Sequence, residues 1–233
     1  MQTEFVPEGP YEDIINLLGQ WKVLDMKSLS ELNNYQLGYH NLLKKVRKLE
    51  HEGMVKGVSL GGKNKHIFLT QKGFTLTSYD QSYPIADENI AHDLVVGTVL
   101  RTFCKFPGFY NGKMFHQISD GEIFPDAAIT GTRDNENFQL AIEVELTQKS
   151  QNRIKEKFRR YAKGNAFHYV LFITNKETLF KTYCRFLAEM NVEVQKAVIL
   201  LFDKELSISK FNHRKSRCLY MGEEKSFRDL FGV

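Results

Sequence analysis

At 233 residues with 42% hydrophobic side chains, the chain has enough length and apolar content for one or two packed domains, which marks an ordered globular protein. No apolar stretch approaches the roughly 20 residues needed to cross a bilayer, and the polar opening "MQTEFVPEGPYED" lacks signal-peptide architecture, so the expected location is the cytoplasm. Three scattered cysteines, Cys104, Cys184 and Cys218, encode neither a disulfide framework nor a paired-cysteine zinc site, and the net charge of +4 is compatible with nucleic acid without requiring it.

In chain order, "YEDIINLLGQW" spaces Ile14, Ile15, Leu17, Leu18 and Trp21 as a helix does. A short helix follows in "MKSLSELN", then a polar turn at Asn33 and Asn34. The segment "YQLGYHNLLKKVRKLEHEGMV" turns Leu42, Leu43, Val46 and Leu49 inward and Gln36, Tyr39, His40, Lys44, Lys45, Arg47 and Lys48 outward, ending near Gly53. Two strand-like runs in "VKGVSLGGKNKHIFLTQKGFTLT" are joined through Gly61 and Gly62, which tolerate the positive φ of a tight hairpin.

Three helices and a basic hairpin resemble the winged helix-turn-helix, and "VRKLEHEGMVKG…FLTQKG" is similar to the recognition helix and wing of MarR-like domains. The resemblance covers roughly residues 9 to 77. It implies that Tyr35, Gln36, Tyr39 and His40 stand near bases, with Lys44, Lys45, Lys63 and Lys65 near phosphates. The plainer alternative is a solvated helix face or a protein-contact module.

The polar, aperiodic "SYDQSYPIADEN" with Pro84 places a domain boundary near residue 82, giving domains 1–82 and 83–233. Asp87 is suited to cap the next helix, "ENIAHDLVVGTVLRTF", which carries His92 in its first turns. A lone histidine there is more often structural than catalytic.

In "NFQLAIEVELTQK", Phe138, Leu140, Ile142, Val144 and Leu146 share one side of an extended chain, with Gln139, Ala141, Glu143 and Glu145 on the other. The first side is the expected core. Upstream, Pro125-Asp126 opens a second strand, "DAAIT", and "GTRDNEN" reads as a hairpin connector that sets Asp126 beside Glu143. Three converging carboxylates repel one another unless a cation neutralises them, so the expected ligands of a Mg²⁺ or Mn²⁺ ion are Asp126, Glu143 and Glu145. A half-buried strand with water on its polar face is the alternative. A basic helix is read through "QKSQNRIKEKFRRYAKG", with Lys149, Arg153, Lys155, Lys157, Arg159, Arg160 and Lys163. Strand "FHYVLFIT", helix "KETLFKTYCRFLAEM" and strand "KAVILLF" complete an α/β arrangement around a mixed sheet. The tail adds a basic patch at Lys210, His213, Arg214, Lys215 and Arg217.

This order of elements resembles the PD-(D/E)xK nuclease superfamily, over roughly residues 86 to 203. The lysine position of its motif is Glu145 here. Glu145 is then a further metal ligand or a base, Lys149 supplies the ammonium from the following helix, or catalysis has been lost. The winged helix followed by "AHDL", "FPDAAI" and "IEVELTQK" resembles the MobC-type plasmid mobilisation relaxases and the broader replication-relaxation proteins. That resemblance implies a metal-dependent DNA endonuclease that nicks one strand at a plasmid transfer origin, with Asp126, Glu143, Glu145, Lys149 and His92 as catalytic residues. Arg153 and Lys157 are expected on the DNA backbone, and accessory mobilisation or coupling proteins as further partners. A winged-helix regulator with an inactive nuclease-like domain, or a restriction- or transposon-type enzyme cutting both strands, are the competing readings.

Overall fold

The computed structural model describes residues 5–60, 64–79, 87–116 and 124–232. The chain divides into two compact units, Met1–Leu94 with His116–Ile118, and Val95–Phe115 with Ser119–Val233. The division falls after Leu94, whereas the sequence places its boundary near residue 82, in a stretch outside the described residues.

In the first unit, helix α1 (Pro10–Trp21) begins with proline in its first turn, where a missing N–H costs nothing, and buries Ile14, Ile15, Leu18 and Trp21. Strand β1 (Val23–Asp25) leads into helix α2 (Met26–Leu32), capped by Asp25, whose carboxylate accepts from the Ser28 N–H at 2.7 Å. Helix α3 (Tyr39–His51) turns Leu42, Val46 and Leu49 fully inward, while Leu43 is only partly buried. Asp13 on α1 holds the preceding turn, accepting from Asn33 Nδ2 at 2.8 Å and from the Asn34 N–H at 3.1 Å. Gly53, with φ +70°, ends α3 and sends the chain into strand β2 (Val55–Ser59). Strand β3 (Lys65–Leu69) pairs antiparallel with both β2 and β1, giving the order β1-β3-β2. The helices and hairpin expected from sequence are therefore present, with β1 as an additional strand. Gly61, Gly62 and Lys63 lie outside the described residues. A four-residue helix, α4 (Gln71–Phe74), follows β3.

Helix α5 (Asp87–Phe103) carries Ile90 and Leu94 into the first unit and Val99, Leu100 and Phe103 into the second. The Asp87 side chain, expected as a cap, lies outside the described residues.

The second unit is built on a seven-stranded mixed sheet. Its strands are β4 (Phe109–Met114), β5 (Ala127–Arg133), β6 (Glu136–Val144), β7 (Tyr169–Thr174), β8 (Val198–Phe202), β9 (Arg217–Tyr220) and β10 (Glu223–Lys225), in the order β10-β9-β8-β7-β6-β5-β4. Strands β6, β7 and β8 are parallel, and the remaining pairings are antiparallel. The β5–β6 turn is only Asp134-Asn135, both at positive φ (52° and 65°), as a type I′ hairpin requires. Most of "GTRDNEN", expected as a connector, is thus strand: Gly131 ends up under the Phe138 ring, where a Cβ would lie 2.2 Å from it.

Helices α6 (Gln151–Lys163), α7 (Glu177–Ala188) and α8 (Val192–Ala197) pack over the sheet face that presents Ala141, with Ile154, Phe158, Tyr183, Leu187 and Val194 in one buried cluster. This corrects the expected one-sided core of β6. Phe138, of opposite parity, meets Phe109, so both faces of the strand are covered. The tail forms β9, β10 and helix α9 (Phe227–Phe231), which has a capping box at Ser226 and Asp229. Those elements carry no alternation or apolar stripe long enough to read from sequence.

Candidate active site

The acidic residues converge for reasons of register. Ala127 pairs with Ile142, so continuing the antiparallel ladder by one residue brings Asp126 opposite Glu143. The Asp126 carboxylate accepts from the Val144 N–H at 2.7 Å, which fixes it at the end of β6. Glu145 follows the strand, and its N–H still donates to the Ile173 carbonyl of β7 at 2.8 Å. All three acids therefore lie at the carboxyl end of the parallel pair β6–β7, where α/β sheets place ligand sites.

Neither glutamate faces water: Glu143 is 2% exposed and Glu145 6%. The group between them is the ammonium of Lys157 on α6, which lies 2.7 Å from Glu143 Oε2 and 3.3 Å from Glu145 Oε1. The Tyr161 hydroxyl, one turn further along α6, donates to Glu143 Oε1 at 2.5 Å. Both oxygens of Glu143 thus receive protein donors. Burial first, and the like charge of Asp126 second, push the Glu143 carboxyl up to about 8, against the lowering influence of Lys157 and Tyr161. Burial works against the Lys157 ammonium, but Glu143, Glu145 and Asp126 outweigh it and raise its pKa, so it stays charged. Burial and then Glu143 raise Tyr161, which stays a hydrogen-bond donor.

Lys157 was expected on the DNA backbone; it is half-buried and faces the acids instead. Its signal was present in the sequence. Ile154, Phe158 and Tyr161 form the buried stripe of α6, and Lys157 occupies the same stripe at i+3 from Ile154. A lone lysine within an apolar stripe marks a partner inside. Lys149, expected on that helix, precedes it: α6 begins at Gln151 behind the cap Ser150, whose Oγ accepts from the Arg153 N–H at 3.4 Å. The ammonium paired with the glutamates is that of Lys157. Arg153 is exposed in the first turn of α6. His92 belongs to the first unit, where its Nδ1 lies 3.7 Å from Asp93.

A divalent cation was expected to hold three carboxylates together. Among the described residues, no group of three or more His, Cys, Asp or Glu side chains is placed to share an ion. What remains compatible with one is the chemistry of the donors, the carboxyl oxygens of Asp126, Glu143 and Glu145 gathered around Lys157. Hard carboxyl oxygens are the donor type Mg²⁺ takes, one or two of them completed by water and a substrate phosphate, although both Glu143 oxygens already accept from Lys157 and Tyr161.

In the first unit, Tyr35, Gln36, Tyr39 and His40 are all exposed, but Tyr35 and Gln36 precede α3, with Gln36 at φ 48°. Lys44 and Arg47 face outward on α3. Lys45 rests over the Tyr11 ring, 4.3 Å from its centroid, and Lys65 pairs with Glu50 at 2.6 Å, so these two are engaged within the protein. In the tail patch, Lys210 pairs with Glu205 at 2.8 Å and Arg217 with Glu224 at 2.8 Å, while Arg214 and Lys215 are exposed. The three cysteines are free thiols. No helix among the described residues is long and apolar enough to cross a membrane.

No protein-family model matches the chain. No curated protein matches it either. Among solved structures it is weakly similar to the restriction endonuclease FokI, at 11% identity and a TM-score of 0.28, over 76% of this chain. The chain spans 39% of the length of that FokI structure, and a likeness at this score carries no argument about the activity.

Proposed function

We propose that the chain is a DNA phosphodiesterase whose first unit reads duplex and whose second unit cuts. The observation that carries this reading is the acidic centre: two buried glutamates on one lysine, with an aspartate opposite, at the carboxyl end of parallel strands. Structural ion pairs are usually one against one. Here two glutamates share one ammonium, and the Glu143 carboxyl between Lys157 and Asp126 is pushed up to about 8, the kind of perturbed acid that marks functional sites.

In this reading Lys157 faces the scissile phosphate and stabilises the negative charge that grows on it as the bond breaks, a task for a compact ammonium. Glu145, the more exposed of the two glutamates, takes the proton of the attacking water. Tyr161 holds Glu143 in place through its hydrogen bond. A divalent cation would be held by Asp126 and Glu143, and would supply polarisation of the phosphate and a water of lowered pKa. The three-helix unit offers Tyr39, His40, Lys44 and Arg47 on the outer side of α3, a basic and aromatic face of the kind that enters a major groove.

The narrower reading, strand nicking at a plasmid transfer origin with accessory mobilisation proteins, is supported by the sequence resemblance alone. A second reading has its own observation. Because both Glu143 oxygens are already engaged, the centre also suits a DNA-binding regulator whose ion cluster is structural.

One assay separates these readings. Purified protein is incubated with supercoiled plasmid and Mg²⁺, with and without chelator. Open-circular product supports a nickase and linear product a double-strand enzyme. Glu143→Ala is expected to remove cleavage while leaving duplex affinity nearly unchanged; equal loss of both would refute the assignment.

A further inference from the structure

Beside the acidic centre, within the second unit, lies a cleft of about 710 Å³ that the cutting chemistry does not use. Its volume is in the range of small-molecule sites. Period-two alternation puts it on the same sheet face as the acids: its floor is Ala128 and Gln139, two and four residues from Asp126 and Glu143 along β5 and β6. Two contacts join it to the centre. The Phe115 N–H donates to the Asp126 carbonyl at 3.2 Å, and Tyr161, which holds Glu143, also lines the cleft.

Three phenylalanines form its walls. Phe115 lies 6.1 Å from Phe124 and 6.4 Å from Phe167, centroid to centroid, and all three rings are only partly buried. An ordinary core would bury such rings fully. Three cations stand around them, Lys113, Arg160 and Lys163, all exposed, with Lys113 4.9 Å above the Phe115 ring. No carboxylate is among the described lining residues. The cleft therefore presents flat apolar surface and positive charge together. The complementary ligand is a flat aromatic body joined to an anion.

We infer that this cleft takes an unstacked nucleobase of a single nucleic-acid strand, gripped between Phe115, Phe124 and Phe167, while Lys113, Arg160 and Lys163 hold the phosphates beside it. Aromatic stacking with cationic tracking of the backbone is the general physics of single-strand binding. The inference rests on the phosphodiesterase reading and deepens it: the substrate at the centre is a strand opened from its duplex, held by one base next to the bond to be cut.

The test needs no cleavage. A single-stranded oligonucleotide carrying one 2-aminopurine is titrated with protein in the presence of chelator, reading probe fluorescence and anisotropy. Stacking in the cleft is expected to quench the probe. Phe167→Ala is expected to weaken single-strand affinity roughly fivefold to hundredfold, the effect of one lost stacking partner, and to abolish quenching, with duplex affinity unchanged. Should that variant fold poorly, Lys113→Glu with Lys163→Glu changes only exposed positions and is expected to weaken binding and flatten its salt dependence. Wild-type affinity and quenching in both variants would overturn the inference. So would competition by free 2-aminopurine nucleotide at the concentrations where the oligonucleotide binds. Quenching that depends on Phe167 in a protein that never cuts plasmid would sustain the cleft and remove the phosphodiesterase reading; cleavage without such quenching would do the reverse.

Discussion

Each unit of this protein buries a lysine against acid, and the two solve the problem differently. In the first, Lys22 and Asp93, 4% and 2% exposed, form a pair at 3.5 Å. The ammonium meets one carboxylate, which also has His92 Nδ1 at 3.7 Å. In the second, Lys157 meets Glu143 and Glu145 at once, with Asp126 near enough to raise the Glu143 carboxyl. Lysine at a buried position is costly in either case, and a matched pair recovers much of that cost. In the second cluster the acids also outweigh the cost for Lys157, and the penalty falls instead on the Glu143 carboxyl, pushed up to about 8. That perturbed carboxyl, set between Asp126 and Lys157, is why the second cluster, rather than the first, is read as chemistry.

The comparison can be broken by removing one partner from each cluster. Asp93→Ala leaves buried Lys22 without its carboxylate and is expected to cost about 3–5 kcal/mol in urea unfolding. Replacing both, as Lys22→Met with Asp93→Leu, is expected to restore most of that stability. If the single variant were as stable as the parent, the first pair would not be a structural element. In the second cluster, Lys157→Met keeps the length of the side chain and removes its charge. Cleavage is expected to fall by about 10²–10³-fold with duplex affinity unchanged, the usual scale for losing one group that stabilises transition-state charge. A loss confined to stability, with full activity per folded molecule, would make both clusters alike.

A pH series sharpens the contrast with a smaller effect. The Glu143 carboxyl, ordinarily near 4.5, is pushed up to about 8 in the folded chain. The folded state therefore binds more protons than the unfolded one between those values. The stability linked to it is fully present below about 4.5 and is lost as pH rises through about 8. The urea midpoint is expected to decline across that window, and Glu143→Gln to flatten the decline. Parallel slopes for parent and variant would show that the carboxyl titrates normally.

Much of this was legible from local pattern. Alternation along 138–146 gives the strand, and "GTRDNEN" read as a hairpin connector sets Asp126 beside Glu143, although only its Asp134-Asn135 pair forms the turn. Local pattern marks Lys157 as a lysine in the apolar stripe of α6, but not which acids that stripe meets. That depends on the angle at which α6 lies across the sheet, a property of packing between Ile154, Phe158 and the strands beneath. Lys149 is nearer to the acids in sequence, but the Ser150 cap starts the helix after it. Similarly, Lys45 and Lys65 read as phosphate contacts because their partners, Tyr11 and Glu50, lie on other elements. Sequence shows a charge; only the fold shows whether it is already spent.

The two-residue turn at Asp134-Asn135 has a consequence for change in this protein over time. It acts as the ruler for the acidic centre, setting the register that brings Asp126 opposite Glu143. One inserted residue that shifted the β5–β6 pairing by a single step would set Asp126 against Val144 or Ile142, whose side chains leave the opposite side of the sheet. The hairpin tip, an exposed place where chains ordinarily tolerate added length, is here expected to resist it.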